Sequence, residues 1–396
     1  MQPTSPERGA CASTIGFHEL LVRHGPAYLK RFGLSMPGRQ REVLERLLRC
    51  RTPALGGQLF ACPDCGAHHY RYHSCNDRHC PLCGQTDADQ WLARQELRLL
   101  LPTNYFLVTF TLPEPLRAWM RSHPKVGYDL LFQTSAQALQ DLAANPQNLG
   151  ATLGLFGILH TWTRTLIYHP HLHYLIPGGG LSPDQRQWRP AKEKFLLPVY
   201  PLSDHFRHLF YRALQKHHPQ ELRTLSGKIW KQRWVVHVQP VGSGQQALHY
   251  LSRYVFKTAT GNRRLELRSD GRVRWPYRDS NTGRPEHQNL TPDELLRRFF
   301  QHILPCGYHR VRLFGWFHPA SRQKLNRVRG LLKQSPLLTQ AERDKWQPGE
   351  EVSQPVQPAE TKPVAPPECP RCKKLMVLVG TWRAGQPPLV LARAPP

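Results

Sequence analysis

The residues best placed to do chemistry are His169, His171 and His173, in the run His169-Pro170-His171-Leu172-His173, which continues as Tyr174-Leu175-Ile176-Pro177 and three glycines. Side chains two apart on a β-strand point to one face, so the three imidazoles share one side and Leu172, Tyr174 and Ile176 the other. Imidazoles crowded on one strand face form a metal-ligand arrangement. His160, which follows the apolar run 155–159, would add a ligand from a neighbouring strand. The plainer alternative is a solvent-facing strand in a chain with 21 histidines.

Thiols form the second constellation. Cys62-x2-Cys65 and Cys80-x2-Cys83 are separated by residues 66–79, a spacing that brings four thiolates round one tetrahedral Zn²⁺. Cys75 and His79 are alternates for that site, with His68 and His73 as spares. Cys369-x2-Cys372 reads as half a site, because no second pair lies near it in the sequence. Ten cysteines in a chain without a signal-type apolar segment favour metal binding over disulfides.

A third constellation is Tyr250 and Tyr254 in Ala247-Leu248-His249-Tyr250-Leu251-Ser252-Arg253-Tyr254-Val255. Four residues apart on a helix, both hydroxyls project from one face. A tyrosine can attack a phosphodiester and hold the DNA end as a phosphotyrosine. Its ordinary pKa near 10 makes it a poor nucleophile until a metal stabilises the charge on phosphorus. The same positions also fit an amphipathic core stripe.

Around these groups the chain is strongly basic, with 54 Lys and Arg against 28 Asp and Glu and a formal net charge of +26. A polyanionic partner follows, nucleic acid first. Between Arg253 and Lys333 arginines alternate with Trp275, Tyr277, Tyr308 and Phe314, a composition that suits a groove for single strands. The pair Phe299-Phe300 and the stretch from Phe314 to Phe317 read more simply as core. No apolar run approaches the ~18 residues of a membrane span. The expectation is a soluble, cytoplasmic, DNA-associated protein with no membrane partner, its oligomeric state left open.

Apolar periodicity places a helix at 40–48, a strand at 104–112, a helix at 135–144, and strands at 152–163 and 169–177. Further helices are expected at 87–101, 198–217, 245–257 and 292–302, the last with Thr291 as N-cap. A strand is expected at 230–239, and a strand pair at 263–277 turning at Asp270-Gly271. That order implies an α+β fold: a central antiparallel sheet with helices on one face, plus a small N-terminal zinc-binding module. The expected division is a helical and zinc-binding region over 1–100, a catalytic domain over 101–335, and a proline-rich linker with a CxxC-containing tail over 336–396.

Six ordered segments carry a family likeness: CRTPALGGQLFACPDCG, SCNDRHCPLCG, NYFLVTFTLP, FGILHTWTRTLIYHPHLHYLIPGGG, ALHYLSRYVFK and FFQHILPCGYHRVRLFGW. Over roughly residues 15–335 the chain resembles the HUH (His-hydrophobe-His) tyrosine nucleases, and more closely the rolling-circle transposases of the insertion-sequence-91 family. The resemblance implies that His171 and His173 fill the HUH positions, with His160 as third ligand of a catalytic Mg²⁺ or Mn²⁺. Tyr254, then Tyr250, would be the nucleophile, and single-stranded DNA at element ends the substrate. Arg253, Lys257, Arg310 and Arg312 are the expected DNA contacts. The alternatives are a replication initiator or relaxase, a hydrolase with a three-histidine zinc site, and a noncatalytic zinc-dependent DNA-binding protein.

Overall fold

The structure, a computed structural model, describes residues 13–83, 95–96, 98–256, 260–279, 282–337 and 366–388; the side chains of 250 and 252–256 lie outside that description. Among the described residues the strands are β1 (Ser13–Gly16), β2 (Gly56–Ala61), β3 (His68–Tyr72), β4 (Tyr105–Thr111), β5 (Gly154–Trp162), β6 (Tyr168–Pro177) and β7 (Gly179–Leu181). They continue as β8 (Trp188–Pro190), β9 (Val235–Pro240), β10 (Arg264–Leu267), β11 (Val273–Arg278), β12 (Pro285–Leu290), β13 (Val311–Gly315) and β14 (Val377–Arg383).

The central sheet has five antiparallel strands in the order β13-β5-β6-β4-β9. Its strands alternate apolar side chains to both faces, as strands buried on both sides must. Leu155, Leu159, Leu172, Tyr174, Ile176, Phe106, Val108 and Phe110 point to one face. The helices Leu116–Ser122, Pro124–Ala144 and Val199–His217 cover that face through Leu131, Phe132, Leu139, Phe206 and Phe210. The buried Tyr174 hydroxyl meets its polar need with Ser135 Oγ at 2.8 Å.

Phe156, Ile158 and Leu175 point to the opposite face. There they pack against Ala247, Leu248 and Leu251 of the helix Gln245–Phe256, and against Leu325 and Val328 of Arg322–Leu331. The sheet thus separates two cores, and the helix bearing both tyrosines sits on the second.

A third core joins distant segments. Phe17, Leu20, Val43, Leu44 and Leu47, on the helices Phe17–Phe32 and Gly38–Arg49, pack with Leu265, Val273, Trp275, Leu295, Phe299 and Phe300. β1 pairs with β10 to start a four-stranded sheet β1-β10-β11-β12. The core therefore does not divide at residue 100. Thr291 caps the helix Pro292–Phe300 as expected, its hydroxyl accepting from Glu294 N at 3.2 Å.

The α+β class and antiparallel pairing agree with the sequence reading. Residues 230–234 differ. Lys228–Lys231 is a short helix and the strand begins only at Val235, because Trp234 Nε1 donates to Ile229 O at 3.0 Å and closes a turn. The tail differs too: β14 pairs with β2, so residues 377–383 complete the sheet β14-β2-β3 of the N-terminal module. The helix expected at 87–101 and the linker at 336–365 fall largely outside the described residues.

Candidate functional site

The pairing of β5 with β6 sets His160 opposite His171 and Ile158 opposite His173. Alternation then puts His160, His171 and His173 on one face, with ligand-capable atoms all within 4.8 Å of one another. Ring centroids lie 4.5 Å apart for His160 and His173 and 4.9 Å for His171 and His173. His160 is buried and stacks on Trp162, whereas His171 and His173 are half-buried.

Two hydrogen bonds orient the rings. His171 Nδ1 lies 2.7 Å from His169 O, so that nitrogen carries the proton and donates. His173 Nδ1 pairs with Thr109 Oγ1 on β4 at 2.8 Å. Bonds of this kind fix a histidine's tautomer and leave Nε2 to a metal. Burial holds all three rings neutral, the form that ligates: His160 is pushed well below the ordinary range, His173 down to about 3, and His171 downward. For His160 the charges of His173, His171 and Arg310 add to burial. The donor set fits a divalent cation. His169 is outside the triad and points its backbone carbonyl at His171.

Across the sheet the row continues from His173 through Thr109 to His237 on β9. His237 and Val235 are exposed, so this face opens toward the β9 edge beside the histidines. Tyr250 and Tyr254 lie on the helix Gln245–Phe256, which packs on the same face through Leu248 and Leu251. Their side chains and that of Arg253 lie outside the described residues, as does Lys257 altogether.

The remaining expected DNA contacts are placed elsewhere. Arg310 is buried with its guanidinium 5.4 Å from the Trp162 ring, and burial lowers its pKa to about 10. Arg312 lies on the helix-covered face, paired with Asp129 and set 4.7 Å over Phe132. Strand alternation causes this, since Val311 and Leu313 take the other face. The expected stacking rings are core as well: Trp275 and Tyr308 are buried. Exposed arginines gather instead on the β10–β11 hairpin, Arg264 and Arg278 on its strands and Arg268 and Arg272 at its turn.

The thiols form two clusters where the sequence suggested one. Cys80 and Cys83 meet Cys50 and Cys75; Cys62 and Cys65 meet Cys369 and Cys372. Cys62 and Cys65 sit in the turn of the β2–β3 hairpin, and β3 runs from there to its open end, where Cys50 and Cys75 flank the pair of strands and meet Cys80 and Cys83. In the first cluster Sγ–Sγ distances are 3.2 Å for Cys50–Cys83, 3.5 Å for Cys50–Cys80 and 3.9 Å for Cys75–Cys83. A tetrahedron of about 2.3 Å Zn–S bonds has edges of about 3.8 Å, so the four thiols fit zinc. Cys75 thus belongs to the cluster, but His79 does not. Its Nδ1 donates to Asp77 at 2.9 Å and its Nε2 accepts from Leu304 N at 3.2 Å, which uses both ring nitrogens. With Arg78 donating to Tyr308 O at 2.6 Å, this knuckle docks on the region before β13. Sequence reasoning missed Cys50, which stands alone in sequence, and Thr109, an ordinary strand threonine.

Two family profiles match the chain. One, described as "Putative transposase", spans residues 154–324; the other, "Transposase zinc-binding domain", spans 20–112. The first therefore contains the three histidines and both tyrosines, and the second the Cys50 cluster. "Putative transposase y4qJ" of Sinorhizobium fredii is 40% identical over 348 residues, 82% of this chain and 87% of its own. "Transposase for insertion sequence element IS801" of Pseudomonas savastanoi pv. phaseolicola is 30% identical over 291 residues, 69% of each chain. No solved structure matches. No described helix is long and apolar enough to cross a membrane.

Proposed function

Because the chain belongs to the insertion-sequence-91 family of transposases, we propose that it nicks and rejoins single DNA strands at the ends of its element through a tyrosine-linked intermediate. The observation that carries this reading is one sheet face holding both the histidine triad and the helix of Tyr250 and Tyr254. A nucleophile and a cation site must share a face to act on one phosphate.

A Mg²⁺ or Mn²⁺ ion on His160, His171 and His173 would supply Lewis-acid stabilisation of charge on the scissile phosphate. Three imidazoles favour Mn²⁺ over Mg²⁺, which prefers oxygen ligands. The hydroxyl of Tyr254, or Tyr250, attacks phosphorus; the new Oη–P bond forms as the P–O3′ bond breaks. The phenolic proton passes to water and the leaving 3′-oxygen takes one from water. A 5′-phosphotyrosine and a free 3′-hydroxyl result, and a second strand's 3′-hydroxyl reverses the step to rejoin. Exposed arginines along the β10–β11 hairpin would hold the backbone of the DNA.

The test uses the full chain, Mn²⁺ or Mg²⁺, and labelled single-stranded DNA spanning an end of its own element. A covalent adduct that survives SDS is expected. Tyr250→Phe with Tyr254→Phe should abolish it, and so should His171→Ala. Cleavage without an adduct would overturn the tyrosine reading.

A further inference from the structure

The cluster Cys62, Cys65, Cys369 and Cys372 joins residues 304 and 310 positions apart. Its Sγ atoms approach to 3.4 Å for Cys62–Cys372 and 3.4 Å for Cys65–Cys369, with all four within 4.8 Å. The C-terminal half lies outside the matched zinc-binding domain, which ends at residue 112.

The two halves are built alike. Cys62 N donates to Ala67 O at 2.8 Å and Gly66 N to Cys62 O at 3.0 Å. Correspondingly, Cys369 N donates to Lys374 O at 2.7 Å and Lys373 N to Cys369 O at 2.9 Å. The fifth residue of each turn has positive φ, 68° at Gly66 and 64° at Lys373. A lysine adopts that conformation at some cost, so the turn is imposed by what it holds. Such a paired arrangement aims two thiols from each turn at a common point.

Charge and strand pairing agree. Four thiolates round a divalent ion leave a net charge of −2, and Arg371, Lys373 and Lys374 surround the C-terminal pair. Lys374 Nζ also reaches Asp64 of the other turn at 3.1 Å. From this junction β14 runs antiparallel to β2, from Val377 opposite Ala61 to Arg383 opposite Gly56.

We propose that these four cysteines bind a second structural Zn²⁺ that clasps the C-terminal tail to the N-terminal module. The ion replaces a hydrophobic core there, since among the described residues the buried apolar cluster beside these thiols is small, made of Phe60, Cys62, Cys369 and Met376. Small modules with so little apolar burial depend on metal for their fold.

The test counts zinc released by a thiol-specific mercurial from the full chain, which leaves any imidazole-bound ion out of the count. Two equivalents per chain are expected, falling to one in Cys369→Ser/Cys372→Ser. Limited proteolysis should then cut within 366–388 of that variant and spare the wild type. One equivalent from the wild type would overturn the proposal, and that measurement requires no variant to fold. Two equivalents retained by the double variant would overturn it equally. Zinc counts are independent of strand transfer, so this test stands apart from that of the tyrosine chemistry.

Discussion

His173 Nδ1 lies 2.8 Å from the hydroxyl of Thr109, across the β6–β4 pair and beside the other two imidazoles. The threonine touches no metal ligand atom that would face the ion, yet it fixes the ring that does. Thr109→Val keeps the shape and removes the bond. Loss of such a supporting bond typically weakens metal affinity about 10- to 100-fold. The measurement is Mn²⁺ dependence of adduct formation: the half-saturating concentration should rise, with the saturated rate near wild type. An unchanged metal dependence would make Thr109 a bystander.

His302 gives the fold a pH dependence of its own. It is buried, with Nε2 3.2 Å from Leu166 O and Nδ1 3.3 Å from Thr161 Oγ1. Burial lowers its pKa to about 4, with Arg310 lowering it further and the Leu166 bond opposing. The unfolded chain binds the proton near pH 6.5, so the neutral ring's stabilisation is complete above 6.5 and is lost as pH falls toward 4. The full loss is about 3 kcal/mol. Urea unfolding at pH 7.5 and pH 5 should show the wild type weakening. His302→Gln, which keeps a donor and an acceptor but does not titrate, should weaken less over the same interval.

Much of this was legible in the sequence where periodicity and local spacing decide position. The HxH strand, the helix at 245–256 and the Thr291 cap follow from residues close together in the chain. What was illegible depends on distance. Cys80 and Cys83 look like natural partners of Cys62 and Cys65, and only the length of β3 between them, from the turn of the hairpin to its open end, sends each pair to other thiols. Cys50 carries no local signal of its cluster, and Cys369-x2-Cys372 signals half a site without pointing to its distant partner. Likewise the basic and aromatic alternation around Arg310 and Arg312 suggested a DNA groove, but strand alternation turns Arg312 to the helix-covered face and burial claims Tyr308 and Trp275.

That placement separates two classes of arginine. Arg312 is engaged by Asp129 and by the rings of Phe132 and Tyr308, at 4.7 and 5.0 Å. Arg312→Ala should cost about 1 kcal/mol of stability, discounted for partial exposure, and leave the salt dependence of DNA binding unchanged. Arg264→Ala and Arg272→Ala should do the opposite. Removing one cation from a single strand's phosphates flattens the slope of log K against log salt by about 0.7. Binding isotherms across a salt series check both. A slope altered by Arg312→Ala alone would relocate the DNA to the helix-covered face of the central sheet.

The position of the tyrosine helix rests on one close approach at its start. Gly244 has φ of 79°, and a Cβ there would come within 2.6 Å of the Tyr105 ring. That ring cannot retreat: it is buried, and its hydroxyl accepts from Leu101 N at 2.7 Å and donates to Leu99 O at 2.5 Å. Gly244→Ala therefore meets both a disfavoured conformation and a fixed wall, and the helix must shift off β4 and β5. Left-handed strain of this kind costs on the order of 1–3 kcal/mol, and the clash adds to it. The histidines stand on strands that do not move with the helix. Adduct formation should fall at least tenfold in Gly244→Ala while Mn²⁺ binding, followed by calorimetry, stays near wild type, a split that disruption of the whole fold would not produce.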